Sequence, residues 1–458
     1  MKKPIVLLVG IAIATTFLGF GLNRVEAKGT IKRSLPIVYP ASWRQMNYTG
    51  THNAVYGAGY LTHGFTVATG GTGNASSVSV VSGVIYTSNF SGDVVAISAT
   101  TGKILWSTKL ANQVMTSPLV AHGLVYVGMG NKNFVSLTPQ KNGNVLRGTG
   151  VNGVVALSQK TGKQVFSYKT KGEVMPTLYE LDKVLYLATG GGHIRALDAL
   201  TGKPLWSTFI QSFVSMSSLN RVGNNLIVGG DNPHKLYAIN MQTHKVTWAT
   251  TLPGAVSGVS DCSAAVSNGI IYIDAVSKAP SSPNTQGVAG VSSQTLYAVS
   301  ANTGRVLWHY NEGTGINPGM QMETGTPTVV GQTVYVGSPV TNQMIALNAL
   351  TGKKIWAYTA HGMVKGAPVV SHGILYFGDM AGYLYAVDAS NGLLRGVQKH
   401  GGQFGPGGPV MVNHMLVIPN TNGKLYTVPI GDLLGKNVPW TTAVANKVVH
   451  VVRRWVRA

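Results

Sequence analysis

Cysteine is almost absent from this chain of 458 residues, which contains only Cys262. A lone cysteine excludes an intramolecular disulfide and every zinc or iron–sulfur site that needs several thiolates. The 12 histidines show no His-Glu-x-x-His or similar spacing, so the sequence predicts no metal site. The fold must therefore be stabilised by packing alone.

Acidic residues are also scarce, with 14 Asp and Glu against 35 Lys and Arg, which gives a formal net charge of +21. The basic residues are spread thinly and cluster only at Arg453, Arg454 and Arg457, so we expect no nucleic-acid partner. Acid unfolds proteins largely by protonating carboxylates that are paired in the native state. A chain with few carboxylates therefore suits an acidic environment outside the cytoplasm, and its positive field attracts small anions.

Long apolar runs are absent except at the N-terminus. There, Lys2 and Lys3 precede the apolar stretch Pro4–Leu22, and small residues in Val25–Ala27 offer a cleavage site. This pattern predicts a signal peptide over residues 1–27 and a location in the periplasm or outside the cell, with outer-membrane association left open. An uncleaved membrane anchor is the alternative, because the apolar stretch is long for a signal.

Glycine is abundant, with 58 residues, and it recurs in one repeated pattern. The pattern is an apolar pair, Ala, another apolar residue, then Thr-Gly-Lys and a late Trp, and its complete form is Ala196–Trp206. The copies are Val94–Trp106, Val154–Phe166, Ile194–Trp206, Leu236–Trp248, Leu296–Trp308, Met344–Trp356 and the degenerate Leu384–Arg395 and Leu425–Ile430.

A second pattern precedes each copy: an apolar run, a Gly or Asn turn, and an apolar-Tyr-apolar run, as in Ser117–Gly128. Each unit thus contains four short strands, which we label A to D from its start. Four strands in about 40 residues, repeated eight times, predict an all-β, eight-bladed β-propeller of four-stranded antiparallel blades over residues 74–430. The late Trp is expected to pack between neighbouring blades.

The run Ala196–Trp206 resembles the PQQ-repeat, or tryptophan-docking, motif of quinoprotein-like propellers, and the resemblance covers about residues 40–430. It implies that the lead-in segment 28–73 closes the ring, and we expect the closing strand from Trp43–Tyr56. Insertions at Asn131–Gly153 and Val276–Gln294 lengthen two connections between strands B and C. Long connections on one face of a propeller are typical of a ligand rim.

Alignment of the blades on the Tyr of strand B places eight residues at one level of the central channel. They are Ala75, Met115, Met175, Met216, Asp261, Thr324, Lys365 and Pro406. Half of this ring is apolar, whereas the other half gathers Asp261, Lys365 and, one position before Thr324, Glu323. A structural ion pair of either acid with Lys365 is the alternative to a catalytic role.

The candidate catalytic residues are therefore the acids of this region and the thiol beside them: Asp261, Asp274, Glu323 and Cys262. The candidate substrate-binding residues are Lys365, Ser260 and Thr324. A partly buried carboxyl with a raised pKa can donate a proton. Cys262 has no adjacent histidine to activate it, and a small buried apolar role is the alternative.

Three functional classes share this repeat. PQQ-dependent dehydrogenases use an adjacent Cys-Cys disulfide and a calcium ion, and this chain has a single cysteine, so PQQ is disfavoured and no cofactor is expected. Non-enzymatic scaffolds like the outer-membrane assembly lipoprotein carry a lipobox cysteine, which is missing around Ala27.

The tetrathionate hydrolases of acidophilic sulfur oxidisers are the third class. This chain is similar to them in its propeller repeat, signal peptide, basic composition and single mid-chain cysteine. The resemblance implies a secreted, acid-adapted hydrolase of a small sulfur oxyanion such as tetrathionate, with a channel carboxyl as the proton donor. The nearest match to the family's aspartate downstream of its cysteine is Asp274.

The C-terminal segment 431–458 has apolar residues at helical spacing in Trp440–Trp455 and a basic opposite face. This pattern predicts a helix. We expect it to dock on its own chain, with a membrane surface or a second subunit, as in a homodimer, as the alternatives.

Overall fold

The computed structural model describes residues 52, 54–56, 61, 63–73, 76–132, 137–140, 144–277, 290–317 and 324–434. The predicted signal peptide, Glu323 and residues 435–458 of the basic tail lie outside the described residues. Within the described ranges, no helix is long and apolar enough to cross a membrane.

Eight antiparallel sheets follow one another along the chain, which confirms the predicted eight-bladed propeller. Blades 1 and 2 contain β3 (Ser79–Val81), β4 (Val84–Ser88), β5 (Asp93–Ser98), β6 (Ile104–Lys109), β7 (Leu119–Ala121), β8 (Leu124–Met129), β11 (Gly153–Ser158) and β12 (Gln164–Lys169), with β9 (Leu137–Pro139) and β10 (Val145–Arg147) inserted as a hairpin. Blades 3 and 4 contain β13 (Tyr179–Leu181), β14 (Val184–Ala188), β15 (His193–Asp198), β16 (Pro204–Phe209), β17 (Asn220–Val222), β18 (Asn225–Gly230), β19 (Lys235–Asn240) and β20 (Val246–Thr251).

The remaining four blades complete the ring. Blades 5 and 6 contain β21 (Ala255–Ser257), β22 (Ala265–Ser267), β23 (Ile270–Ser277), β24 (Gly290–Ser300), β25 (Val306–Asn317), β26 (Thr328–Val330), β27 (Thr333–Ser338), β28 (Gln343–Asn348) and β29 (Lys354–Thr359). Blades 7 and 8 contain β30 (Val369–Ser371), β31 (Ile374–Gly378), β32 (Tyr383–Asp388), β33 (Leu394–Lys399), β34 (Val410–Val412), β35 (Met415–Asn420) and β36 (Lys424–Pro429), joined by β1 (Val55–Tyr56) and β2 (Phe65–Ala68) and followed by helix α1 (Ile430–Leu434). The A strands of neighbouring blades contact one another, which places them at the axis.

The last blade takes its outer strand from the start of the chain. Strand β2 pairs antiparallel with β36, with Phe65 opposite Thr427, and β1 pairs in parallel with the innermost strand β34. The outer closing strand thus lies further along the chain than the predicted Trp43–Tyr56, whose last two residues form the inner strand β1.

The tryptophans lie between blades, as predicted. In four of them the indole Nε1 donates a hydrogen bond to a carbonyl of the next blade at 3.0–3.2 Å, from Trp106 to Gln159, Trp248 to Ala301, Trp308 to Ala349 and Trp356 to Ala389. The glycine of the next Thr-Gly-Lys turn lies against the ring, since a Cβ on Gly352 would be 2.7 Å from Trp308. In blade 4 a histidine replaces this glycine, and His244 stacks on Trp206 with ring centroids 4.8 Å apart.

The blade 5 insertion is partly strand. The sequence assigns Val276–Gln294 to a connection, but β23 continues to Ser277 and β24 begins at Gly290. Strand β25 is 12 residues long and reaches Asn317. The insertion therefore lengthens the blade, and this extension brings Glu312 of β25 into the interior.

Substitution of Gly352 by alanine tests the contact between tryptophan and glycine. Gly352 and Gly373 both have a positive φ, but a Cβ on Gly373 would meet no atom within 4 Å. Backbone strain of about 1 kcal/mol is common to both variants, whereas the clash with Trp308 adds about 1–3 kcal/mol. We expect Gly352→Ala to lower the free energy of unfolding clearly more than Gly373→Ala in denaturant titrations. Equal losses would contradict the docking role.

Candidate active site

A narrow cavity lies on the axis where the A strands begin. Five of the residues predicted to share this level line it, namely Met115, Met175, Met216, Asp261 and Pro406. Its volume of about 20 Å³ is room for about one water molecule. Hydroxyl groups tie the blades together at this level, because the amides of Ser117, Thr177 and Ser218 each donate to a Ser or Thr hydroxyl of the next blade at 2.9–3.0 Å.

Asp261 is the acid among the described residues that line the cavity. It ends a tight turn in which the amides of Asp261 and Cys262 both donate to the carbonyl of Gly258, at 3.1 and 3.2 Å. Gly258 has a φ of 80°, a conformation that suits glycine. The turn exposes 9% of Asp261 and buries Cys262 completely, so the two neighbours face different environments.

Asp231 of blade 4 holds this turn from behind. Its Oδ2 accepts hydrogen bonds from Gly258 N, Ser260 N and Ser260 Oγ at 3.1, 3.3 and 2.7 Å. Its Oδ1 lies 2.6 Å from His234 Nδ1. Ser260, a predicted substrate-binding residue, therefore lies buried with its hydroxyl bound to Asp231.

Cys262 and Asp274 meet behind the turn. The amide of Asp274 donates to the thiol of Cys262 at 3.2 Å, and the thiol donates to the carbonyl of Gly325 at 3.4 Å. The amide of Gly325 in turn donates to Asp274 Oδ2 at 2.9 Å. Burial, then the nearby Asp274 charge, raises the pKa of the Cys262 thiol, so the thiol stays protonated. Thr324 is buried too, and its hydroxyl donates to the carbonyl of Gly258 at 3.3 Å.

Asp274 shares its pocket with a second carboxyl, Glu312 of β25. If both were ionised, Asp274 Oδ1 and the two Glu312 carboxyl oxygens would have no hydrogen-bond donor. A proton shared between the two side chains supplies one of the missing hydrogen bonds and removes one of the two buried charges. Burial raises the pKa of Glu312 to about 8 and, together with the charge of Glu312, raises that of Asp274 well above its ordinary value. The pair therefore retains protons in acid and near neutrality.

A buried ion pair lies near Asp261 on the side of blades 2 and 3. Arg147 of β10 approaches Glu173 with 2.8 Å between Nε and Oε1. The hairpin docks through its backbone, because Arg147 N donates to Gly190 O and Glu173 N donates to Arg147 O. Burial raises the pKa of Glu173 to about 7, Arg147 opposes this shift, and the charge of Asp261 adds to it. Glu173 and Asp261 are thus close enough to influence each other.

The remaining predicted residues are placed as follows. Lys365 of blade 7 is buried, and its carbonyl accepts a hydrogen bond from Thr326 N at 3.0 Å. Glu323 lies outside the described residues. No group of three or more His, Cys, Asp or Glu side chains in the described ranges is arranged to hold a metal ion.

The sequence matches a PQQ-repeat family model, described as outer membrane protein assembly factor BamB, over residues 42–146, 135–279 and 292–438. The chain belongs to the PQQ-repeat propeller family. Each repeat of this family therefore corresponds to one blade. The repeat supplies the sheet, the tryptophan that docks on the next blade and the residue at the axis.

Tetrathionate hydrolases are among the relatives of this propeller. It is 30% identical to the tetrathionate hydrolase of Acidithiobacillus ferrooxidans, with 78% of this chain and 73% of the relative covered. It is 28% identical to that of Acidianus ambivalens, with 79% and 72% covered. Identity to the outer membrane protein assembly factor BamB of Burkholderia pseudomallei is 22%, with 79% and 85% covered. The predicted closeness to tetrathionate hydrolases is confirmed.

Two solved structures show the same fold. BamB from Moraxella catarrhalis superposes with a TM-score of 0.58 at 15% identity, with 80% of this chain and 99% of that chain covered. A quinohemoprotein alcohol dehydrogenase from Pseudomonas putida gives 0.53 at 15% identity, with 78% and 77% covered. At such identity the likeness concerns architecture and not chemistry.

Sequence reasoning missed Glu312, Glu173 and Arg147. Glu312 follows Trp308 in a strand that extends beyond the repeat, and Arg147 lies in an insertion without a counterpart in other blades. Glu173 was detectable, because it lies two positions before the predicted channel residue Met175 in a chain with few acids.

The raised pKa values predict that the buried pair lowers stability as the pH rises. A carboxyl whose pKa is raised by folding holds its proton more tightly in the folded state, so its contribution is full below about pH 4.3 and is lost as the pH rises through the folded value. Each such group changes the free energy of unfolding by up to about 1.4 kcal/mol per pH unit in that window. We expect Glu312→Gln to lose less stability than the wild type between pH 4.5 and 8.

Urea titrations across this range provide the measurement. His52, whose pKa burial lowers to about 4, acts in the opposite sense between pH 6.5 and 4, but it is present in both proteins and cancels in the comparison. The exposed Asp182 supplies the matched control, because Asp182→Asn should leave the pH profile unchanged. Identical profiles for Glu312→Gln and the wild type would contradict proton retention by the pair.

Proposed function

We propose that this protein is a hydrolase of small sulfur oxyanions of the tetrathionate type, with Asp261 as the catalytic acid. One observation carries the proposal: a carboxyl lines the axial cavity of a propeller that is 30% identical to a tetrathionate hydrolase over 371 residues. The other described residues that line the cavity are apolar, hydroxyl-bearing or glycine.

The proposed reaction cleaves a sulfur–sulfur bond of the dianion with water. The water oxygen bonds to one sulfur, the bond to the neighbouring sulfur breaks, and the electron pair leaves with thiosulfate. Asp261 gives its proton to this leaving group, and the proton released by the water passes to solvent. The cavity of about 20 Å³ suits the attacking water, while the substrate lies outside it, over Asp261.

The residues around Asp261 hold it in place. Two hydrogen bonds fix the turn. The hydroxyl of Ser260 donates to Asp231, and the hydroxyl of Thr324 donates to the carbonyl of Gly258. Cys262, Asp274 and Glu312 form the protonated layer behind it. In this proposal Cys262, Asp274, Ser260 and Thr324 are positioning residues, because their side chains are buried away from the cavity.

Positive charge attracts the substrate to this region. The net charge of +21 raises the local concentration of small dianions. Arg147, which lies beside Glu173, supplies a cation on the side of blades 2 and 3, and its guanidinium suits the oxygens of a sulfonate end. Lys365 and Glu323 remain in the proposal as the groups that complete the ring in blades 6 and 7.

The proposed reaction needs no cofactor. The single cysteine provides no adjacent disulfide of the kind that PQQ-dependent dehydrogenases place against the quinone. The proposal therefore includes no PQQ, and no step runs through it.

The proposed setting is the periplasm or the cell exterior, and association with the outer membrane is part of this proposal. The apolar N-terminal stretch with Lys2 and Lys3 supports export, and the proton-retaining carboxyls support an acidic milieu. A membrane surface or a second copy of this chain remains the proposed partner of the basic tail 431–458.

Release of thiosulfate from tetrathionate at pH 3 tests the proposal. We expect Asp261→Asn to lower kcat by about 10²–10⁴ while the thermal unfolding midpoint stays within a few degrees of the wild type. Asp182→Asn, an exposed acid on another blade, should retain full activity. Asp274→Asn and Glu312→Gln should lower activity less than Asp261→Asn, because they act through the position of the turn.

Full activity of Asp261→Asn would exclude this acid as the proton donor. A folded wild-type protein that releases no thiosulfate would exclude the hydrolase and favour the scaffold function, which the 22% identity to BamB of Burkholderia pseudomallei supports.

A further inference from the structure

A groove outside the axial channel lies between the β9–β10 hairpin and blade 3. Its volume is about 710 Å³, which is in the range of small-molecule sites. Leu146 of the hairpin and Phe209 of β16 form apolar sides, and the basic residues Lys171, His193 and Arg195 also line the groove. None of the described lining residues is acidic.

The three basic side chains lie close enough in this groove to interact electrostatically. Burial lowers the pKa of His193, and the charges of Arg195 and then Lys171 lower it further. The His193 ring is fixed between Ser207, whose hydroxyl lies 3.2 Å from Nδ1, and Phe209, whose ring centroid is 5.1 Å away. Lys171 and Arg195 carry two permanent positive charges without an acidic counter-ion among the lining residues, and His193 adds a third when it is protonated. Such a site favours an anion.

Arg195 carries an unused donor at this site. One terminal nitrogen donates to Tyr168 Oη at 3.2 Å, whereas its Nε is buried and has no hydrogen-bond partner in the described structure. An unpaired buried donor is costly, so the guanidinium is not fully satisfied by protein partners. As a lining group of the groove, it is suited to charge-assisted hydrogen bonds with an oxyanion. The arrangement therefore selects a ligand with several anionic oxygens.

The groove is separate from the axial site although the two share a wall. Arg147 of β10 is buried beside Glu173 on the channel side. Its neighbour Leu146 lines the groove. Alternate residues of one strand point to opposite sides, so β10 divides the two spaces.

We propose that this groove is a second binding site for small dianions of sulfur oxyacids, such as thiosulfate and tetrathionate. The choice of a dianion rests on the groove alone, since two permanent cations match two negative charges and the apolar sides suit a weakly hydrated body. The choice of sulfur oxyacids rests on the proposed function. The site places such an anion beside the channel without contact with Asp261.

Calorimetric titration of thiosulfate and tetrathionate at constant ionic strength tests the proposal. The Asp261→Asn variant is used because it should not hydrolyse tetrathionate during the titration. It should bind both anions at the groove as the wild type does. Lys171→Gln, at an exposed position, and Arg195→Gln should each weaken this binding about tenfold, the effect of losing one charged contact. Lys203→Gln removes the same charge from an exposed turn of blade 3 and should change the affinity less than twofold.

Unchanged affinity in both groove variants, or equal weakening by Lys203→Gln, would overturn the site. Disappearance of all thiosulfate binding in Asp261→Asn would also overturn it, because the groove does not include that residue. Groove binding in a protein that fails to release thiosulfate from tetrathionate would support this site while the proposed hydrolase fails.

Discussion

The pairing of β2 with β36 is the interaction on which the rest of the structure depends. Phe65 and Thr427 face each other in this pairing, and the Thr427 hydroxyl bonds both the amide and the carbonyl of Phe65, at 2.6 and 3.1 Å. A blade buries its faces only against its neighbours. Closure of the last blade by the first strands therefore gives every blade two neighbours and brings residues distant in sequence to one axis.

The axial site follows from this closure. Asp261 belongs to blade 5 and Glu173 to blade 3, and only the ring brings their charges close enough to affect each other. Behind Asp261, the buried Asp274 and Glu312 are packed where ionisation is costly. The scarcity of acids in the sequence and the burial of these acids act in the same direction, because both reduce the number of carboxylates that acid must protonate.

The architecture could be predicted well from the sequence because the repeated motif marks the same turn and the same docking residue in each blade. The Thr-Gly-Lys turn and late Trp recur where one blade docks on the next, and Asp261 follows from the alignment of strand A. The alignment had no means of locating Glu312, whose position depends on how far β25 extends beyond Trp308. The position of Arg147 could not be predicted either. The hairpin that carries it has no counterpart in the other blades, and its docking against Gly190 is a contact between segments distant in sequence.

The orientation of the predicted substrate-binding residues could not be read from the sequence for the same reason, since it depends on tertiary contacts. Ser260 and Thr324 lie near Asp261 in the alignment, but their orientation depends on Asp231, which comes from the preceding blade, and on the Gly258 turn. Sequence position placed these residues near the axis, whereas hydrogen bonds between chain segments decide which of them faces the cavity.

A crystal structure of the Asp261→Asn protein soaked with tetrathionate tests the central claim most directly. The account predicts a bound sulfur oxyanion at the axis, with a bridging sulfur or oxygen atom within about 3 Å of the side chain at position 261. A well-ordered oxyanion bound only elsewhere on the propeller, with the axial side chains unchanged, would contradict it.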